Sequence, residues 1–269
     1  MEKDIEKLAA KLANGKSLAQ MQSNWERRDP AQRFAQPEKT PAELAYWEKV
    51  WEGAKVSPNI WSVFYKPEKL SFEEAKKSLW QIFLQRADEI ATITQKPFAW
   101  QFSEKEAENI NDLLRYFLND PAGKYPIHKG LFVFGAVGTG KTEIMQVFQR
   151  WAKAQNLQKQ FVFTSLSQVY TRAKSEGDYD PVFENVLYNR LFDEFGRYTG
   201  NVLSFGNPID INEAIIEQRY AKFQRYGQIT HFVANAQPNE TKAMFSPMVY
   251  DRLRSMCSSV HFEGKSKRK

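Results

Sequence analysis

The sequence predicts an α/β fold built on a parallel sheet, preceded by a smaller all-α region. Three observations predict it. From about residue 96 onward, short apolar runs alternate with amphipathic stretches at helical spacing. One of those runs, "GLFVFG", leads straight into a glycine-rich turn, "GAVGTGKT", that opens a helix. Residues 1–95 have a different texture, polar and helical, punctuated by tryptophan.

We therefore expect two domains, 1–95 and 96–269. In the first, "AQPEKTPAE" at 35–43 is a proline-bearing break. From Phe72 to Ile90, the residues Phe72, Ala75, Leu79, Ile82, Phe83, Ala87 and Ile90 recur at helical spacing, so one face of a long helix is apolar. Trp25, Trp47, Trp51, Trp61 and Trp80 fall in this region. They either fill a small helical core or form a surface for a protein partner, where Trp is over-represented.

In the second domain "AENINDLLRYFLND" reads as a helix stopped by Pro121, "GLFVFG" as a strand and "GKTEIMQVFQRWAKAQ" as a helix. "FVFTS" and "RLFDEFG" are strands, "INEAIIEQRYAKFQRYG" is a helix closed by Gly227, and "ITHFVANA" is a strand. "SPMVYDRLRSM" is a short helix entered through Ser246 and Pro247, and "SVHFEG" the last strand.

Composition bounds the function. At 42% hydrophobic and 26% charged residues, the chain can bury a core. No apolar run reaches the ~20 residues of a membrane span, and "MEKDIEKLAAKLANGKSLAQ" has neither secretory nor transit-peptide character, which points to the cytoplasm. The lone Cys257 forms no internal disulfide, and histidines at 128, 231 and 261 lack zinc-ligand spacing. A net charge of +6 and the basic end "KSKRK" suit a polyanionic partner, or plain solubility.

The chemistry starts at Gly135, Gly140, Lys141 and Thr142, which fit G-x-x-x-x-G-K-[ST] between an apolar strand and an amphipathic helix. Glycines let backbone amides turn inward around phosphates, Lys141 reaches the terminal phosphates, and the Thr142 hydroxyl is a Mg²⁺ ligand. The same binding set takes in Gly138, Thr139 and Glu143. Asp193, closing the strand of "RLFDEFG", is the carboxylate for the metal, and Glu194 the acid that polarises an attacking water. Asn235, at the end of "ITHFVAN", would sit beside that water if its strand neighbours the phosphate-loop strand. Arg252 and Arg254 on a short helix and Arg268 near the end are candidates for a cation supplied across a subunit interface.

As a set, "GLFVFGAVGTGKT", "LFDEFG", "IIEQRYAKFQRYGQITHFVANA", "VYDRLRSM" and "FEGKSKR" resemble the AAA+ ATPases of the DnaC/IstB type. That group comprises bacterial replicative-helicase loaders and helper ATPases of some transposons. The resemblance spans about residues 96–268. It implies an AAA+ core without a C-terminal lid domain, ATP held at Gly138, Gly140, Lys141 and Thr142, and magnesium and water carboxylates at Asp193 and Glu194. It also implies a sensor at Asn235, an arginine finger at Arg252, and further basic positions near the nucleotide or the neighbouring subunit at Arg219 and Arg268. Tyr170, Arg172 and Lys174, in "SLSQVYTRAKSEGDY", fall where such proteins line the path of single-stranded DNA. The implied partners are a replicative helicase reached through the N-terminal region, or a transposase on duplex DNA, with further copies of the chain meeting at ATP interfaces.

The sequence departs from the pattern in three places, the first being Tyr188, Asn189 and Arg190, which precede "LFDE" where a longer apolar run is usual. "FVANA" stands where a threonine-rich sensor strand is common, and the insert at 197–210 is long, a candidate subunit or DNA contact. A small-molecule kinase and a nucleotide-dependent binding module without useful hydrolysis share the phosphate loop and stay open as alternatives.

Overall fold

The computed structural model describes residues 67–176, 189–197, 201–204, 207–236, 240, 245–264 and 266–267. These belong to one compact unit, residues 61–269. The proline break and Trp25, Trp47, Trp51 and Trp61 lie outside the described residues, as do Arg268 and the side chain of Arg172.

Helix α1 (Phe72–Thr94) begins at a capping box, in which the Ser71 hydroxyl accepts from Glu74 N and the Glu74 carboxylate accepts from Ser71 N. Its buried residues Ala75, Leu79, Phe83 and Ala87 follow one another every four positions, a single stripe of the expected apolar face. Helix α2 (Glu104–Phe117) starts with the same device, built from Ser103 and Glu106. The strands and helices that follow are β1 (Gly130–Phe134), α3 (Lys141–Ala154), β2 (Phe161–Ser165), α4 (Leu166–Glu176) and β3 (Asn189–Phe195). After them come β4 (Asn201–Ser204), β5 (Asn207–Asp210), α5 (Ile211–Tyr226), β6 (Thr230–Ala234), α6 (Pro247–Met256) and β7 (Cys257–His261).

Five strands form one sheet in the order β2–β3–β6–β1–β7, and every pair is parallel. Side chains alternate across it, as the pleat requires. Leu131, Val133, Leu191 and Val233 join one core with α1, α2 and α3, through Phe83, Phe117, Phe148 and Trp151. Phe132, Phe134, Phe192, Phe232 and Ala234 join the other with α4, α5 and α6, through Val169, Ile215 and Leu253. Helices therefore cover both faces, the three-layer α/β arrangement that the alternating pattern predicts.

Three features differ from the sequence reading. The last strand starts at Cys257, not at Ser259, because its register with β1 begins at Gly130 opposite Cys257. Ser246 takes the N-cap position of α6 without a side-chain capping bond; its backbone amide donates to Glu213 Oε1 at 3.0 Å instead. Within the 197–210 insert, β4 and β5 pair as a small antiparallel ribbon, with Asn201 opposite Asp210. Asp210 then caps α5 by accepting from Asn212 N and Glu213 N.

The end of the sheet where the strands begin is sealed. His231 on β6 is fully buried, its Nδ1 accepts from Leu131 N at 3.2 Å, and Tyr116, Phe117 and Phe161 surround the ring. Burial holds its pKa down at about 3, from an ordinary value of 6.5. Between those values the unfolded chain binds a proton that the native chain does not, so the contribution of His231 to stability is lost as pH falls below 6.5. Comparing urea unfolding at pH 7 and pH 5, wild type is expected to lose about 2 kcal/mol more than His231→Asn, which keeps an acceptor but does not titrate.

Candidate nucleotide site

The site is assembled at the opposite end of the sheet, where β1, β3 and β6 finish side by side. The strand after β1 in the chain, β2, lies at the far edge, while β7 flanks β1 on its other side, so connections diverge at β1 and open a crevice beyond its end.

Strand β1 runs fully buried to Phe134 and hands over to the phosphate loop at Gly135. Two of the loop's glycines are forced. At Gly135, with φ 149°, a Cβ would stand 2.1 Å from the carbonyl oxygen of Phe262; at Gly138, with φ 84°, it would strike the Ser266 side chain. Gly140, with φ 87°, takes the N-cap position of α3 with no side chain to satisfy the first amides of the helix. Those amides carry the positive end of the helix and suit an anion.

Lys141 is buried and folded back on the loop: Nζ donates to Gly135 O at 3.0 Å, Ala136 O at 2.7 Å and Thr139 Oγ1 at 3.3 Å. Beside it, the Thr142 hydroxyl donates to Asp193 Oδ1 at 2.9 Å, joining the first turn of α3 to the end of β3 across fifty-one residues of sequence. The Asp193 carboxyl sits above its ordinary range because burial disfavours its charge, while the Thr142 hydroxyl and the Glu194 amide pull it back down. A cation placed there would relieve that burial.

The strand changes register at this point. Phe192 pairs with Phe232 but Phe195 with Ala234, so β3 carries one residue more than β6 across Asp193 and Glu194. Glu194 takes up the extra length in the left-handed region at φ 59°, and its carboxylate pairs with Arg197. A non-glycine residue in that conformation costs on the order of 1 kcal/mol, a strain that collects at functional positions. Asn235 follows Ala234, which is aligned with Phe134 on one side and Phe195 on the other. It is exposed, and its strand ends between β1 and β3.

Among the described residues no group of three or more His, Cys, Asp or Glu could cage a metal. Thr142 and Asp193 nevertheless fit Mg²⁺, which usually takes only one or two protein ligands and completes its shell with phosphate and water.

The remaining sequence-predicted residues stand elsewhere. The Glu143 carboxylate is gripped by Arg86 of α1, Nε at 2.9 Å and Nη2 at 3.1 Å. Arg86 also donates to Glu89, which pairs with Arg150 at 2.7 Å, so four alternating charges tie α1 to α3. Arg252 on α6 is held by Glu217 of α5 at 2.6 Å, and Arg254 stacks near Tyr250. On α4, Lys174 Nζ lies 4.8 Å from the centre of the Tyr170 ring, one turn apart on one face.

Arg219 corrects the expectation that it lies near the nucleotide or a neighbouring subunit. It is buried at the start of β6, donating to Thr230 Oγ1 at 2.6 Å and Ile229 O at 3.2 Å, and burial lowers its pKa to about 10. Its place is at the sealed end of the sheet. Sequence reasoning missed Arg86, which sits fifty-seven residues from its partner, and Lys267, described below. Glu106 was within reach, since S-x-x-E before an apolar run is a capping signature.

No protein-family model matches this chain, and no curated protein does. Among solved structures it is similar to DnaI, with 13% identity over 63% of this chain and 88% of that one and a TM-score of 0.47. It is also similar to the DnaC helicase loader, with 12% identity over 61% of this chain and 94% of that one and a TM-score of 0.44. For domain III of the replication initiation protein DnaA from Thermotoga maritima the values are 13%, 61%, 65% and 0.41.

Proposed function

We propose that this chain is a magnesium-dependent ATPase of the AAA+ type that assembles with copies of itself and loads or remodels a replicative helicase on single-stranded DNA. The observation that carries the reading is the 2.9 Å hydrogen bond from Thr142 to Asp193. It unites the phosphate-loop threonine with the acid of a second parallel strand, the pair that a nucleoside triphosphate and its metal require. When bound, the metal supplies charge neutralisation at the terminal phosphates.

The chain's own residues do the rest. Loop amides and the start of α3 bind the phosphates, and Lys141 leaves the carbonyls of Gly135 and Ala136 to reach them. Glu194 polarises water, and Asn235 orients it from the neighbouring strand. Arg252, released from Glu217, serves the site of an adjacent copy. Tyr170 and Lys174 suit a single strand, one by stacking and the other by backbone contact.

Lys141→Ala is expected to weaken ATP binding, measured by titration calorimetry, by on the order of a hundredfold, since two charge-assisted contacts are lost. ATP-dependent retention of a single-stranded oligonucleotide should disappear with it. Unchanged affinity would overturn the phosphate-loop assignment; preference for duplex over single strand would turn the reading to a transposition helper.

A further inference from the structure

The chain's last described residues are fastened to the outside of the phosphate loop. Beyond β7, Phe262 N donates to Phe134 O at 2.9 Å, continuing the pairing with β1 by one step. Gly264, at φ 149°, turns the chain back over the loop. Ser266 then packs on Gly138, and Lys267 N donates to Gly138 O at 2.8 Å.

The side chain of Lys267 reaches further, to the start of α2. Its ammonium lies 2.7 Å from Glu106 Oε1, donates to Gln101 O at 2.9 Å, and stands 5.0 Å from the centre of the Phe102 ring. Glu106 is only 4% exposed, so its charge needs an answer. Its Oε2 is engaged with Ser103 in the capping box, and Oε1, which accepts no aligned hydrogen bond, has the Lys267 ammonium as its counter-charge. An ion pair with one member so buried is stronger than an exposed pair.

The loop's carbonyls are thus tied back from two sides. Lys141 occupies those of Gly135 and Ala136, and the tail occupies that of Gly138. Carbonyls engaged in this way leave the loop amides available for an anion. A phosphate would draw Lys141 away, and the tail would then be what keeps the loop in shape. We propose that Gly264, Ser266 and Lys267 form a strap that holds the phosphate loop in its anion-binding conformation, with Lys267 as its positioning residue. This rests on the phosphate-loop reading above.

The test uses the full chain and Mg-ADP as probe, comparing wild type, Lys267→Ala and Lys267→Arg. Lys267→Ala is expected to raise the dissociation constant about tenfold, the worth of one partly buried charge-assisted bond, and to lower the melting midpoint, because buried Glu106 loses its counter-charge. Lys267→Arg, which can still pair with Glu106, should restore most of the affinity. In nucleotide-free protein, amide exchange over residues 136–140 should be faster in Lys267→Ala than in wild type. Equal affinity and equal exchange overturn the strap, as does equal loss in Lys267→Arg. If wild type binds no nucleotide, the phosphate-loop reading fails, and the exchange comparison alone judges the strap.

Discussion

Glu194→Gln is expected to bind ATP as tightly as wild type and to hydrolyse it about 10²–10⁴-fold more slowly, the range that a positioned general base contributes. Binding survives because the groups that would hold the phosphates and the metal are Lys141, Thr142, Asp193 and the loop amides, whereas the Glu194 carboxylate is paired with Arg197. Glutamine keeps the size and the left-handed backbone demand while removing the charge proposed to polarise water. Parallel measurement of nucleotide affinity and phosphate release separates the two steps. Wild-type turnover would move the catalytic role to another residue.

Phe83→Ala should lower the unfolding free energy by about 3–5 kcal/mol in urea titrations, with the denaturant slope unchanged. The ring is 1% exposed and meets Trp80, Trp100 and Phe102 at centroid distances of 5.1 to 6.0 Å. Two further bonds run from α1 outward: Trp100 Nε1 donates to Phe83 O at 2.7 Å and Trp151 Nε1 to Ser78 Oγ at 2.9 Å. A chain cut at residue 96 would lose this helix and expose Trp151, Phe148 and Leu113, so it is expected to aggregate. A Phe83→Ala protein as stable as wild type would mean that α1 contributes little to the α/β core.

How much the sequence revealed follows from the range of each interaction. The phosphate loop was legible because its requirements are local: glycine where φ is positive, then lysine and threonine on the first turn of a helix. The buried strands were legible from short apolar runs, and the close of α5 from Gly227 at φ 64°. The proposal for Asn235 rests on the condition that β6 lies next to β1, and the strand order meets that condition.

Contacts between distant segments left no local trace. Arg86 could have been any solvated arginine on a helix, and only tertiary packing sets it against Glu143. Arg219 read as a basic residue available for a ligand because charge is visible in sequence and burial is not; the polar first residue of β6, Thr230, accommodates it at the sealed end of the sheet. The ribbon of β4 and β5 escaped because each strand has only four residues and Gly-Asn-Pro interrupts the alternation.

The extra residue in β3 bears on how relatives of this chain are to be lined up. Successive strand residues face opposite sides of a sheet, so a gapless match between this strand and one without the bulge shifts the positions after Asp193 to the wrong face. Glu194 would then fall one column out of place, whereas Asp193 keeps its register with Ser165 of β2. In any such comparison the gap belongs inside the acidic pair, and the partner of the phosphate-loop threonine, not the column, identifies which acid is which.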